Sequence, residues 1–127
     1  MMKNFKATVA AACVLALASS ASAKDCSITL TAGTTAQPMI PTPAGGQRIN
    51  GFVACNIDPT TGSGEAAWIN VNGAAAIGAV GSIPLSVPTA ATYVGMGCYT
   101  TPDTWSSSNA VSVNATTTGH KISCWYW

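Results

Sequence analysis

Short apolar runs broken by glycine, proline and asparagine recur along this chain, and no stretch shows a convincing helical repeat. Four of the runs organise its middle: 49–55, ending on Cys55; 65–71, carrying Trp68; 82–87; and 92–98, ending on Cys98. Side chains on a strand alternate between faces, so Ala67, Ile69 and Val71 share one side and Ala66, Trp68 and Asn70 the other. In 48–55 the alternation groups Ile49, Val53 and Cys55 against Phe52, the pattern of a strand covered on both sides. A first strand is predicted over 24–31, with Cys26, Ile28 and Leu30 on one face. Segment 110–116 points Val111 and Val113 inward. In the closing segment 121–127, Ile122, Cys124 and Tyr126 oppose Ser123, Trp125 and Trp127.

Between these runs lie turn signals at 56–64, Asn72-Gly73, 88–92 and 117–120. Pro84 marks 82–87 as an edge strand or a bulge, and 74–80 reads as a strand or a close-packed connection. Gly95 and Gly97 leave a flat strip that something else must cover. Residues 32–47 hold Pro38, Pro41, Pro43, Gly33, Gly45 and Gly46 and read as a Pro/Gly-rich surface loop. Its 38–43 portion is a candidate edge segment or recognition tract, and its length is unusual for a loop without structure of its own. About eight short antiparallel strands follow, hence an all-β domain: a disulfide-stapled β-sandwich or small β-barrel.

The amino-terminal segment is expected to lie outside that domain. Residues 1–6 carry two lysines, 7–18 are apolar, and Ala21-Ser22-Ala23 is a small-x-small site before Lys24. The apolar run falls short of the roughly 18 residues that a membrane span requires. Residues 1–23 are therefore expected to be a cleaved signal peptide, and 24–127 a single domain, secreted, periplasmic or extracellular, without membrane insertion after cleavage. Cys13 goes with the leader and stands too early in its apolar run to suit lipid attachment. Cys26, Cys55, Cys98 and Cys124 remain, an even set suited to two disulfides. Pairing Cys26 with Cys55 and Cys98 with Cys124 joins strands close in sequence and is favoured; Cys26 with Cys124 and Cys55 with Cys98 is the alternative.

Charge narrows the function classes. After the leader, Lys24, Arg48 and Lys121 face Asp25, Asp58, Glu65 and Asp103, a net charge of −1 where the precursor has +1. Nucleic-acid binding needs clustered basic residues, and an amphipathic membrane helix needs a charged face; neither is present. The polar surface must come from Ser, Thr, Asn and Gly, which also suits a chain that packs against copies of itself.

Cys55, Trp68 and Cys98 resemble the immunoglobulin domain, in which two cysteines span the sandwich and a tryptophan packs on them. The resemblance covers 55–98 alone, and Met96 stands where that family has a tyrosine. The same spacing suits any disulfide-linked sandwich.

No catalytic arrangement emerges. His120, the single histidine, reads as an exposed turn residue, and no serine lies in a Gly-x-Ser-x-Gly setting. The cysteines are expected in disulfides, no cluster has zinc spacing, and Asp58 with Glu65 supply too few oxygens for calcium. Glu65 with Asp103 is a bare possibility for paired-carboxylate chemistry. No enzyme activity, cofactor or metal is expected. Residues 114–116 form an N-glycosylation sequon.

Aromatic residues carry the functional expectation. Trp105 lies in a polar loop, and Trp125 and Trp127 alternate on one face of the last strand. Indole rings are flat, rigid surfaces that stack on sugars or anchor protein contacts, with core packing as the competing role. The expected function is a non-enzymatic binding module that recognises glycan or an extracellular protein through Trp105, Trp125 and Trp127. The alternatives are a structural subunit that assembles with copies of itself at a surface or in a filament, and an inhibitor or toxin-like effector.

Overall fold

The computed structural model describes residues 22–57, 65–87 and 97–127. Among the described residues there are nine strands: Lys24–Asp25 (β1), Ile28–Thr29 (β2), Gln37–Ile40 (β3), Phe52–Asn56 (β4), Ala67–Asn70 (β5), Ile83–Leu85 (β6), Cys98–Thr100 (β7), Val111–Ala115 (β8) and Lys121–Tyr126 (β9). There is no helix among the described residues. Two antiparallel sheets pack together as a disulfide-stapled sandwich. The first runs β1-β9-β4-β7 with β2 also on β9, and the second runs β3-β8-β5-β6.

Period-two burial decides which faces meet. Phe52, Ala54 and Asn56 point inward from β4, Ala67 and Ile69 from β5, Val111, Val113 and Ala115 from β8, and Ile122 and Cys124 from β9. Each large side chain buried this way, Phe52 or Ile69 for example, contributes about 1.5–3 kcal/mol over its exposed state. The opposite face of β4 presents Val53 and Cys55 half-covered, so this strand has one core face and one partly sheltered face.

The predicted first strand is split. The Cys124 amide donates to the Ser27 hydroxyl at 3.1 Å, while the Cys26 amide donates to the Cys124 carbonyl at 2.9 Å. A side chain thus takes a place in the ladder, and β1 and β2 pair with β9 on either side of it. The Pro/Gly-rich segment is likewise more ordered than a loop. It contains β3, which pairs with β8 at the sheet edge and buries Met39 and Ile40, while Pro38 stays exposed. Pro84 sits on β6, the other edge of that sheet.

Cys26 bonds Cys124 and Cys55 bonds Cys98, which corrects the favoured sequential pairing. The reason is the strand order. β9 lies between the Cys26 strand and β4, and β4 lies between β9 and β7. Strands two apart are separated by about 9–10 Å, beyond disulfide reach. Facing adds a second obstacle, because Cys26 and Cys124 are buried whereas Cys98 is exposed. Both bonds lie within the first sheet. The immunoglobulin resemblance ends there, for Cys55 and Cys98 are directly paired neighbours on β4 and β7 and do not span the sandwich.

The strip at Gly97 is covered by main chain, since a β-carbon there would collide with the backbone of Ser86. Gly95 lies outside the described residues. Residues 74–80 form a connection, and its start folds over the outer face of β8. Ser112 Oγ donates to the Gly73 carbonyl at 2.6 Å and accepts from the Ala75 amide at 2.7 Å; Asn114 Nδ2 donates to the Ala75 carbonyl at 3.0 Å. All five residues of β8 are buried as a result. The sequon asparagine, Asn114, is therefore enclosed in the folded domain.

Candidate functional site

Trp125 projects from β9 onto the outer face of the first sheet, between Val53 on β4 and Asp25 on β1. The ladder continues one residue beyond β9. The Trp127 amide donates to the Gly51 carbonyl at 3.0 Å, and the Trp127 carbonyl accepts from Asn50 and Gly51 at 2.6 and 3.3 Å. Strand parity therefore keeps Trp127 on the Trp125 side, about 6.8 Å further along. Its indole lies over Gly51, with Cζ2 2.5 Å and Nε1 2.8 Å from where a β-carbon at residue 51 would stand. Trp125 and Trp127 remain 48% and 39% exposed as residues, which leaves both open to a ligand. Val53, the Cys55–Cys98 disulfide and Thr100 extend this face as a flat surface with few hydrogen-bonding groups.

Beside Trp127 an open cavity of about 620 Å³ runs between the end of β9 and the segment that follows β3. Its walls include Lys24, Tyr126, Trp127, Arg48, Gln47 and Asn50, with residues 41–44 forming the far side, and Ser22 of the expected leader closes part of it, so cleavage would open the cavity further. Arg48 is held in place: Nε donates to Ser106 Oγ at 3.1 Å and Nη2 to the Ser106 carbonyl at 3.2 Å. Reciprocal Ile49 and Ser107 hydrogen bonds of 2.8 and 2.9 Å fix the backbone next to it. The Lys24 ammonium stands 5.7 Å from the Tyr126 ring centroid, a cation–π contact at the rim. Asp25 points to the other face, and the Ser27 hydroxyl and amide hold its carboxyl below the usual carboxylate range.

Trp105 has a different place. It meets Phe52 edge-on at 5.4 Å between centroids and packs against the buried core. The three tryptophans expected to act together thus divide into a partly buried residue packed on the core and an exposed pair. Trp68, on β5, is half-buried in the second sheet.

His120 corrects another expectation, being 1% exposed and not a surface turn residue. Its Nε2 lies 2.9 Å from Asn56 Oδ1, and its Nδ1 lies 3.8 Å from Glu65 Oε2. Asn56 Nδ2 donates to the Glu65 carbonyl at 2.7 Å. Glu65 Oε1 accepts from the Thr117 amide, also at 2.7 Å. Burial pushes the Glu65 carboxyl up, but the Thr117 hydrogen bonds, His120 and the Thr116 amide together hold it below its ordinary value. This network ties β4 and the β9 approach to the start of β5, and so pins one sheet to the other.

Among the described residues no three His, Cys, Asp or Glu side chains gather as a metal site. Asp58 lies outside those residues. Arg48, Lys24 and Tyr126 had no local signal in the sequence, because the cavity forms only when residues 41–50 fold against the last strand. The two disulfides suit a non-reducing environment. No helix among the described residues is long and apolar enough to cross a membrane. No protein-family model, curated protein or solved structure matches this chain.

Proposed function

We propose that this domain is a secreted, non-enzymatic binding module that recognises glycan through Trp125 and Trp127. The observation that carries the reading is the exposed indole pair, two residues apart on one face of a strand held by neighbours on both sides. Rings presented on a braced sheet lose little conformational freedom when a ligand stacks on them. Hydroxyl and amide side chains nearby, Thr100 and Asn50 among them, can meet sugar hydroxyls without charge.

The test is intrinsic tryptophan fluorescence with a glycan panel on the oxidised domain, alongside W125A and W127A. A saturable shift with one saccharide class, lost in both variants, supports the reading; a response that survives both substitutions removes it. Assembly with copies of this chain is the second reading. It has weaker support, because Pro38 and Pro84 stand on the edge strands of the second sheet and β1 and β2 are short and interrupted. Edges of this kind disfavour strand addition. Light scattering across a concentration series would reveal a ladder of oligomers if that reading held.

A further inference from the structure

We infer that the cavity beside Trp127 selects an acidic saccharide, a sugar ring bearing a carboxylate, a specificity that rests on the glycan-binding reading above. Only three basic side chains follow the expected cleavage site, and two of them, Lys24 and Arg48, line this one cavity. No aspartate or glutamate does. Among the described residues neither cation has a carboxylate partner within ion-pair distance. The nearest acid in sequence, Asp25, does not line the cavity: it stands opposite Trp125 on the outer face, where its carboxylate accepts from the Ser27 amide. The Trp127 carbonyl is turned back into the ladder.

Geometry gives each group a role. Ser106 takes the Arg48 Nε and one Nη2 hydrogen, which leaves the other guanidinium N–H groups free to donate to a carboxylate from a preset plane. Lys24, resting over Tyr126, supplies a second positive charge at the rim. Trp127 forms the wall against which a sugar ring would stack, and Gln47 and Asn50 are placed for its hydroxyls. Such a site reads both the face of a sugar and its charge, whereas Trp125, outside the cavity, reads the face alone.

The experiment compares calorimetric titrations of hexagalacturonate, its fully methyl-esterified form and a sulfated chondroitin hexasaccharide. K24Q, R48Q, R48K and K121Q are measured beside the unaltered domain, each checked by near-UV circular dichroism. The acid is expected to bind about tenfold more tightly than its ester at low salt, an advantage that shrinks as salt rises. K24Q and R48Q should each weaken the acid about three- to tenfold, R48K less, and K121Q not at all. If R48Q fails to fold, K24Q and the salt series still decide the matter. Equal binding of acid and ester, or equal losses in K24Q and K121Q, overturns the inference while leaving the module reading intact. Preference for the sulfated chain places the charge recognition on sulfate and overturns the carboxylate assignment. Silence toward all three saccharides, with the neutral panel also silent, removes both readings.

Discussion

The indole of Trp127 rests directly on Gly51, in space that any β-carbon at residue 51 would claim. Gly51 has no need of glycine for its backbone, since it is absent from the positive-φ residues, so the ring alone excludes a larger side chain. G51A should therefore lift the indole off the sheet at a cost of about 1 kcal/mol, while the fold survives. Tryptophan emission should shift to the red and acrylamide quenching should rise. Unchanged fluorescence would place the ring elsewhere.

Trp105 and Trp125 should respond oppositely to removal. W105A deletes a ring packed on Phe52 and should lower stability by about 2–4 kcal/mol, read from the denaturant midpoint. W125A removes a side chain 48% exposed on the outer face and should change stability by less than about 0.5 kcal/mol. Saccharide titration should give the reverse order, with W125A the more damaged. Equal losses of stability would show that the two rings are not divided as described.

Non-reduced peptide mapping should recover the Cys26–Cys124 and Cys55–Cys98 pairs. The first closes a loop of 98 residues and the second one of 43. In the chain-entropy treatment these contribute about 4.7 and about 4 kcal/mol respectively. The difference in burial matters more than this small gap. Cys26 and Cys124 are within the core, so C26S/C124S also places hydroxyls there and should abolish folding at ordinary temperature. C55S/C98S should fold with a lowered melting temperature. A dithiol reductant should open the surface bond first, seen as stepwise alkylation of Cys55 and Cys98 before the other pair.

Acid should weaken the pin between the sheets through Glu65. Its carboxyl is held below its ordinary value in the folded state, so folding favours the ionised form. The stability it supplies is complete above the unfolded carboxyl value, about 4.3, and is lost as pH falls through the lower folded value. E65Q should therefore cost about 1 kcal/mol at pH 7 and almost nothing at pH 2. Melting temperatures across that range give the check, and parallel curves for the two proteins would show that Glu65 is not the titrating group.

Alternation at a period of two was enough to read most strands, because each has one core face: Ala67 with Ile69, Val111 with Val113, Ile122 with Cys124. Pairing was harder, since it is almost wholly long-range. Apart from β5 with β6, every strand finds partners far along the chain. That is why proximity in sequence misled the disulfide reading. β3 was masked by its own composition, as Pro38 and the prolines after it resemble a loop until β8 pairs with the segment. His120 was misread for a similar reason. Thr117-Thr118-Gly119 gives a turn signal, while the Asn56 and Glu65 that enclose the imidazole lie more than fifty residues away.

The place of β9 has a consequence in time. It comes last in sequence among the described strands, yet β1, β2 and β4 all attach to it. Until it emerges from the ribosome, β4 can pair only with β7, and β1 and β2 have nothing to dock on. Cys26 must wait for almost the whole chain as a free thiol, while Cys55 and Cys98 can oxidise as soon as both have appeared. Completion of the first sheet thus waits for β9, and a chain stopped short of that strand would carry the Cys55–Cys98 bond while the Cys26 thiol stayed open to wrong partners.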